Sequence, residues 1–356
     1  MKYLISGGGT GGHIFPAVSI ANALRELDPE AEILFIGALG RMEMERVPQA
    51  GYKIIGLPVR GFNRAQPWKN ISVLIDLVKS IRQVRKVIRD FQPNVGVGVG
   101  GYASGAAMWA AAKMGIPILL QEQNGFAGVT NKILKDKAAK ICVAYEGMER
   151  FFPKDKIILT GNPVRQNLTS GKSKKTGHPS LLIIGGSLGA RTINRAVAAG
   201  LQQLIDAGIH VVWQTGKTYF ADCRKAWEEA GSPKQIECLD FLSDMPDRYA
   251  QADLVISRAG ASSISELCLL GKPAILVPSP NVAEDHQTHN AMALVNRQAA
   301  VLVRDAEAAE KLIPTALTLI KDKEQLASLH ANVLQLAQTD SARRIAEEVI
   351  NLANHR

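Results

Sequence analysis

Short apolar runs, several of them β-branched, alternate with longer amphipathic stretches from the first residue onward. Runs of this kind bounded by glycine or polar residues read as buried strands, and their alternation with helical periodicity predicts parallel α/β sheets rather than hairpins. Strands are expected at Tyr3–Ser6, Glu32–Ile36, Val95–Val99, Ile116–Leu120 and Lys140–Ala144. The rhythm then breaks at Gly161–Ser180, "GNPVRQNLTSGKSKKTGHPS", a polar stretch rich in Gly, Ser and Lys that reads as a domain linker. A second series follows at Ser180–Ile184, Ile209–Gln214, Gln235–Leu239, Leu254–Ser257 and Pro273–Val277. The economical reading is two doubly wound domains, with ligand in the cleft at the carboxyl ends of the strands. The last helical stretch, Asp340–Leu352, fits either domain by pattern alone.

Length and composition support this outline. A chain of 356 residues exceeds one ordinary core, and 46% hydrophobic with 21% charged residues describes a soluble globular protein. No apolar window is long enough to span a bilayer, and the opening "MKYLIS" meets glycine too soon to be a signal peptide, so a cytoplasmic protein is expected. Cys142, Cys223, Cys238 and Cys268 form no C-x-x-C pair, and buried free thiols are the simplest reading. The net charge of +9 is unevenly spread: up to Pro163 there are 21 Lys and Arg against 13 Asp and Glu. A basic first half points to an anionic partner, either nucleic acid, a membrane surface or a phosphorylated substrate.

Three glycine clusters each follow a strand and precede a helical stretch: "SGGGTGGH" (6–13), "GVGGYASG" (98–105) and "GGSLGA" (185–190). Glycine lets the backbone approach a ligand, and the free N–H groups of a helix start favour an anion, so the three together indicate phosphate handling. Gly7, Gly9 and Gly12 satisfy G-x-G-x-x-G, but a dinucleotide site also needs an acid at the end of the second strand, where Phe35-Ile36-Gly37-Ala38 stands. A triphosphatase loop would need lysine after the last glycine, and His13 is there instead. At a helix start an imidazole is held back from becoming cationic, which suits a general base, a phosphate donor or a plain turn cap.

"SRAGASSISELCLLGKPAILVP" (257–278) reads as strand end, small-residue loop, helix and buried strand. Ser263 and Glu266 match a capping box; the functional alternative is a carboxylate chelating the hydroxyls of a ribose. "EDHQTHNA" (284–291) carries groups suited to a sugar. His286 and His289 lack an evident third ligand, and no Asp-x-Asp occurs in the chain, so no metal is expected.

The stretch 66–91 projects as an amphipathic helix. Leu77, Ile81, Val84 and Ile88 share an arc of about 140° to 200° from Lys79, opposite Arg82, Arg85, Lys86 and Arg89. Trp68, Ile71, Ile75 and Val78 fall on the basic side, as on a membrane-surface helix, unless a loop covers them. Lys132, Lys135, Lys137 and Lys140 add charge nearby, and no nucleic-acid motif is present.

"GGTGGHIFP", "GGYASG", "QEQNGFAGVTNK", "GNPVR", "GGSLGARTIN" and "SRAGASSISELCLLGKPAILVP" followed by "HQTHNA" resemble, in order and over essentially the whole chain, the MurG family of bacterial UDP-N-acetylglucosamine transferases. The resemblance implies an α/β GT-B fold, two Rossmann-like parallel-sheet domains facing across a cleft. Residues 1–163 plus 341–356 would form the acceptor and membrane domain, and 164–340 the UDP-sugar domain. It implies UDP-N-acetylglucosamine as donor and an undecaprenyl-pyrophosphoryl-muramoyl-pentapeptide as acceptor, with no cofactor, no metal and no nucleic acid. It also implies peripheral attachment to an anionic membrane at the cytoplasmic face, and cell-wall synthesis or division proteins as candidate partners.

Carried over by position, the implied donor contacts are Thr10, Gly11, Gly12, Asn124, Arg165, Ser187, Leu242, Ala261, Ser262, Ser263, Glu266 and Gln287. Glu266 would hold the ribose, Ser187 the diphosphate and Arg165 the leaving charge. Gly9, Gly101, Tyr102 and Asn131 would meet the acceptor phosphates, and Trp68, Ile71, Ile75, Val78, Lys79 and Arg82 the membrane. Two departures stand out: His286 where the family often has glutamine, and Ser262-Ser263 where Leu-Thr is common. The implied chemistry is inverting transfer, which needs a base for the acceptor hydroxyl and N–H or cationic groups for the departing phosphate. His13 is the first choice for the base, and Glu122, at the end of the fourth predicted strand, is the rival. A non-hydrolysing epimerase and a non-catalytic nucleotide-sugar-binding protein are the alternatives, and a dehydrogenase ranks third.

Overall fold

The structure, a computed structural model, describes residues 1–61, 70–164, 168–172, 177–186 and 188–355, without the side chains of Asn70, Ile71 and Ala283. It divides into two compact units, residues 1–164 with 339–356 and residues 165–338.

The first unit runs β1 (Lys2–Ser6), α1 (Gly11–Leu27), β2 (Glu32–Ala38), α2 (Glu43–Gln49), β3 (Lys53–Leu57), α3 (Asn70–Phe91), β4 (Val95–Gly98), α4 (Tyr102–Lys113), β5 (Ile118–Glu122), α5 (Val129–Leu134), β6 (Lys140–Val143) and β7 (Ile157–Leu159). These strands form one parallel sheet in the order β3-β2-β1-β4-β5-β6-β7. Strand order reverses between β1 and β4, paired from Tyr3 with Val95 to Ser6 with Gly98, and the first two glycine clusters leave the sheet side by side at that switch point.

Helices cover both faces. α4, "YASGAAMWAAAK", is nearly all small residues, and the glycines of β4 let it lie close, since a Cβ on Gly98 would come within 2.7 Å of Met108 Cγ. On the other face α1 packs against the chain's last helix, whose Ile345, Ala346 and Val349 share a core with Ile5, Ile14 and Ile20.

The second unit runs β8 (Ser180–Ile184), α6 (Arg191–Ala199), α7 (Leu201–Asp206), β9 (His210–Gln214), α8 (Phe220–Glu229), β10 (Ile236–Leu239), α9 (Met245–Gln251), β11 (Leu254–Ser257), α10 (Ala261–Leu270), β12 (Ala274–Leu276), α11 (His286–Val295), β13 (Val301–Leu302), α12 (Ala308–Leu319) and α13 (Lys323–Leu334); α14 (Ser341–Asn354) returns to the first unit. Its parallel sheet has the order β10-β9-β8-β11-β12-β13, with its own reversal between β8 and β11. Trp213, fully buried in the core of this unit, donates its indole N–H to Asn194 at 3.0 Å.

The two parallel sheets are those expected from the apolar rhythm, but three strands escaped it. β3, β7 and β13 are all sheet edges, and β7 and β13 are only three and two residues long. β5 starts two residues later than the apolar run suggests. Ile116 N–H is used to close the end of α4 on Ala111 O, and the strand continues instead through Gln121 and Glu122. No capping box forms at Ser263 either: α10 begins at Ala261 behind Gly260, so Ser263 already lies inside the helix.

Candidate active site

Around the first glycine turn, His13 lies in the first turn of α1. Its Nδ1 is 3.0 Å from Gly8 O and 3.3 Å from Thr10 Oγ1. A carbonyl only accepts, so Nδ1 carries the proton and, in the neutral ring, Nε2 is the lone-pair nitrogen. The ring rests on Gly100, where a Cβ would come within 2.9 Å of Nε2, and Gly100 at φ +96° suits glycine. Thr10 and Gly12 are exposed at the turn and Gly11 is half-buried.

The sequence reading missed Glu43. This fully buried residue opens α2, and its carboxylate accepts Ala38 N–H at 3.0 Å and Gly9 N–H at 2.9 Å, joining the end of β2 to the turn after β1. Gly8 and Gly37 make room for it: a Cβ on Gly8 would sit 2.1 Å from Glu43 Oε1, and one on Gly37 2.6 Å from Glu43 Cγ. An acid does therefore stand beside the second strand, but it faces backbone amides and is closed to solvent. Only the G-x-G spacing with a small residue at the end of β2 hinted at a side chain packed there.

The second glycine turn is braced on the first. Gly8 N–H donates to Gly100 O at 3.3 Å, and a Cβ on Gly101 would fall 2.5 Å from Gly8 O. Tyr102 is 57% exposed, with its ring over Gly61.

Glu122, the rival base, is 2% exposed. Oε1 accepts Asn124 N–H at 3.1 Å and its side-chain amide at 3.4 Å, while Oε2 accepts Gly128 N–H at 3.0 Å and Asn131 Nδ2 at 2.9 Å. With these four donors it shapes the 124–131 loop. Asn131, expected on the acceptor phosphate, is 2% exposed, and its Nδ2 donates to Glu122 and to Gln121 O. Beside it lies a buried amide network that the sequence reading also missed. Gln121 donates to Asn162 Oδ1 at 3.0 Å, Asn162 to Gln123 O at 2.9 Å, and Gln123 to Val99 O at 2.8 Å and to Gln121 Oε1.

On α3 the predicted core face holds: Val84 and Ile88 are buried, with Leu77 and Ile81 packed against the same core. Ile75 and Val78 are 51% and 48% exposed, beside exposed Lys79 and Arg82, and Leu74 joins them at 51%. Trp68 lies outside the described residues, as do Arg165 and Ser187, and so does the side chain of Ile71.

In the second unit the third glycine turn is held by Gln214. Its Oε1 accepts Gly185 N–H at 3.0 Å and Gly186 N–H at 2.9 Å, and its Nε2 donates to Gly186 O and Asp240 O. Glu266, 9% exposed in α10, accepts the Tyr249 hydroxyl at 3.0 Å. Ala261, Ser262 and Ser263 form the half-buried first turn of that helix. Arg258 is engaged with Asp305 and with the carbonyls of Val277 and Pro278, so it braces the strand ends.

Gln287 Oε1 accepts Ser279 N–H at 2.8 Å, and two consecutive left-handed residues, Glu284 and Asp285, set up the start of its helix. Leu242, expected among the donor contacts, has its side chain 4% exposed; Phe241 beside it is 56% exposed. Among the described residues no three metal-ligating side chains gather, around His286 and His289 or elsewhere. The described residues of this unit that were expected on the donor lie on the loops and helices that follow the carboxyl ends of β10, β11 and β12.

Residues 3–143 match the glycosyltransferase family 28 N-terminal domain, and residues 180–349 the glycosyltransferase family 28 C-terminal domain. A Bacteroides fragilis protein named UDP-N-acetylglucosamine--N-acetylmuramyl-(pentapeptide) pyrophosphoryl-undecaprenol N-acetylglucosamine transferase is 58% identical over 99% of this chain and 96% of its own length. Proteins of the same name from Phocaeicola vulgatus and Cytophaga hutchinsonii are 59% and 49% identical, each over 99% of this chain and 97% of their own. Among solved structures, Acinetobacter baumannii MurG superposes with a TM-score of 0.79 at 26% identity, covering 99% of this chain and 100% of that one. A Neisseria meningitidis UDP-GlcNAc 2-epimerase, at 16% identity and a TM-score of 0.70 over 99% of this chain and 100% of its own, shares the fold alone. With both domains matched and identity near 58% along its whole length, the chain belongs to glycosyltransferase family 28, among the MurG transferases of GT-B fold.

Proposed function

We propose that this chain transfers N-acetylglucosamine from UDP-N-acetylglucosamine to the 4-hydroxyl of an undecaprenyl-pyrophosphoryl-N-acetylmuramoyl-pentapeptide, a step of peptidoglycan synthesis. The observation that carries this reading is the full-length identity of 49% to 59% with relatives named for that transfer. The second unit would bind the donor, with Glu266 on the ribose, the turn after β8 on the diphosphate and the α10 start around the nucleotide. The glycine turns of the first unit, Gly9 to Gly12 and Gly101-Tyr102, would take the acceptor pyrophosphate on their backbone N–H groups.

In the reaction the acceptor oxygen attacks the anomeric carbon as the bond to the UDP β-phosphate breaks, inverting that carbon. The hydroxyl proton passes to His13 Nε2, and the leaving charge stays on UDP. His13 suits the base because its other nitrogen is committed to Gly8 O, whereas both oxygens of Glu122 are occupied and enclosed. Glu122 is a positioning residue for the loop that carries Asn124. By the same resemblance, Arg165 and Ser187 would meet the donor phosphates.

The membrane face is proposed on α3. Leu74, Ile75 and Val78 are exposed beside Lys79 and Arg82, the pairing that an anionic lipid surface favours, and no described helix is long and apolar enough to cross a membrane. On this reading the protein would sit peripherally at the cytoplasmic face of the membrane. The test of function is transfer of labelled N-acetylglucosamine from its UDP donor onto the lipid-linked acceptor, with and without chelator. Product in both arms supports the reading. No product, with UDP-sugar binding intact, moves the function to an epimerase or a binding protein.

A further inference from the structure

One peptide unit lies between two functional side chains. The amide joining Gly8 to Gly9 donates its N–H to Glu43 Oε2 at 2.9 Å, and its carbonyl accepts the His13 Nδ1 proton at 3.0 Å. Hydrogen bonds at the two ends of one amide polarise it in the same sense: a carboxylate on the N–H makes the C=O a better acceptor. We propose that Glu43 is a positioning residue for the transfer, holding His13 through the Gly8–Gly9 peptide in the tautomer whose lone pair lies on Nε2, the nitrogen that takes the acceptor's proton.

The geometry is built for this clamp. Glu43 is fully buried, and among the described residues no Lys, Arg or His pairs with it; its oxygens meet only the N–H groups of Ala38 and Gly9. A buried carboxylate without a cation is costly, so its place here calls for a role beyond packing. The second oxygen, on Ala38 at the end of β2, ties the carboxylate to the sheet, and therefore the peptide it clamps. Gly8 and Gly37 lack the Cβ atoms that would displace it, and Gly9 at φ +87° lets its N–H turn towards the acid. The arrangement parallels the carboxylate that orients a catalytic histidine, with one backbone amide interposed.

This inference rests on His13 as the base, and its test separates the two. In protein labelled with 15N-histidine, with His13 identified by its loss in His13→Asn, the neutral ring should have a protonated Nδ1 and a bare Nε2. A wild-type spectrum with the proton on Nε2 overturns the proposal even if no Glu43 variant folds. Glu43→Gln keeps the shape but sets an NH2 against an N–H, so it should shift the ring towards a tautomer mixture. It should also lower kcat by about 10- to 100-fold with the KM for UDP-N-acetylglucosamine unchanged. Glu43→Gln on a His13→Ala background should cost nothing further, because the group it positions is gone. A loss that multiplies in the double variant, or Glu43→Gln with wild-type tautomer and kcat, overturns the proposal. Full activity of His13→Ala would instead refute the base, while the tautomer spectra still decide whether Glu43 holds the ring.

Discussion

The Tyr249 hydroxyl donates to Glu266 Oε2 at 3.0 Å, from α9 into the second turn of α10, so the carboxylate expected on the ribose is held at one oxygen by a tyrosine that is 1% exposed. Pre-setting that oxygen lowers the ordering needed when nucleotide binds. Tyr249→Phe is expected to weaken UDP binding about tenfold, roughly 1.4 kcal/mol. Glu266→Ala should cost on the order of 100-fold, since it removes the whole carboxylate proposed to hold the ribose. Calorimetric titration with UDP measures both, and an unchanged Kd in Tyr249→Phe would leave the tyrosine with packing alone.

His13 and Glu122 should fail in different ways. His13 sits half-buried at a turn, so His13→Ala should lower kcat by about 100- to 10,000-fold, the usual worth of a general base, with little change in melting temperature. Glu122 accepts four donors in the interior, and Glu122→Gln opposes an NH2 to at least one of them, at a cost of about 1–3 kcal/mol in stability. Thermal melts run beside single-turnover assays distinguish the two. A Glu122→Gln protein of wild-type stability and 1,000-fold lower turnover would return Glu122 to the role of base.

The exposed stripe on α3 predicts lipid binding that is sensitive to salt. Ile75→Glu with Val78→Glu leaves the buried Val84 and Ile88 face untouched, so the fold and UDP binding should persist. Flotation with anionic vesicles should show binding by the parent that weakens as salt rises, and none by the double variant. Equal binding by both proteins would place the membrane contact elsewhere.

Burial raises the thiols of Cys142 and Cys268 from the ordinary 9.0 to about 12. Between those values the unfolded chain has lost a proton that the folded chain keeps. The stability these thiols contribute is whole below pH 9 and drains away as pH climbs towards 12. At pH 10 each should have cost roughly 1.4 kcal/mol, so denaturant midpoints should fall between pH 8 and pH 10 in the parent and fall less in Cys142→Ala. The same burial predicts that disulfide reagents reach these thiols only after unfolding.

The class of fold, the positions of the buried central strands along the chain and the place of the three glycine turns were legible in the amino-acid sequence. Buried parallel strands carry apolar runs that need no context to be seen, and a glycine cluster behind a strand has few other uses. The sequence did not reveal β3, β7 or β13: β3 is an edge strand whose residues are mostly only half-buried, and runs of three or two residues carry no period. The motifs singled out His13, Glu266 and Gln287 as candidates, yet the groups that brace the turns around them were not legible. Glu43 braces a turn 34 residues earlier, Gln214 one 28 residues earlier and Asn162 a strand end 41 residues earlier. Polar side chains that act at such separations leave no local pattern. Whether Asn131, Leu242 and Glu122 face solvent or the interior was likewise decided by the packing around them, because a side chain's exposure depends on what the rest of the chain lays against it.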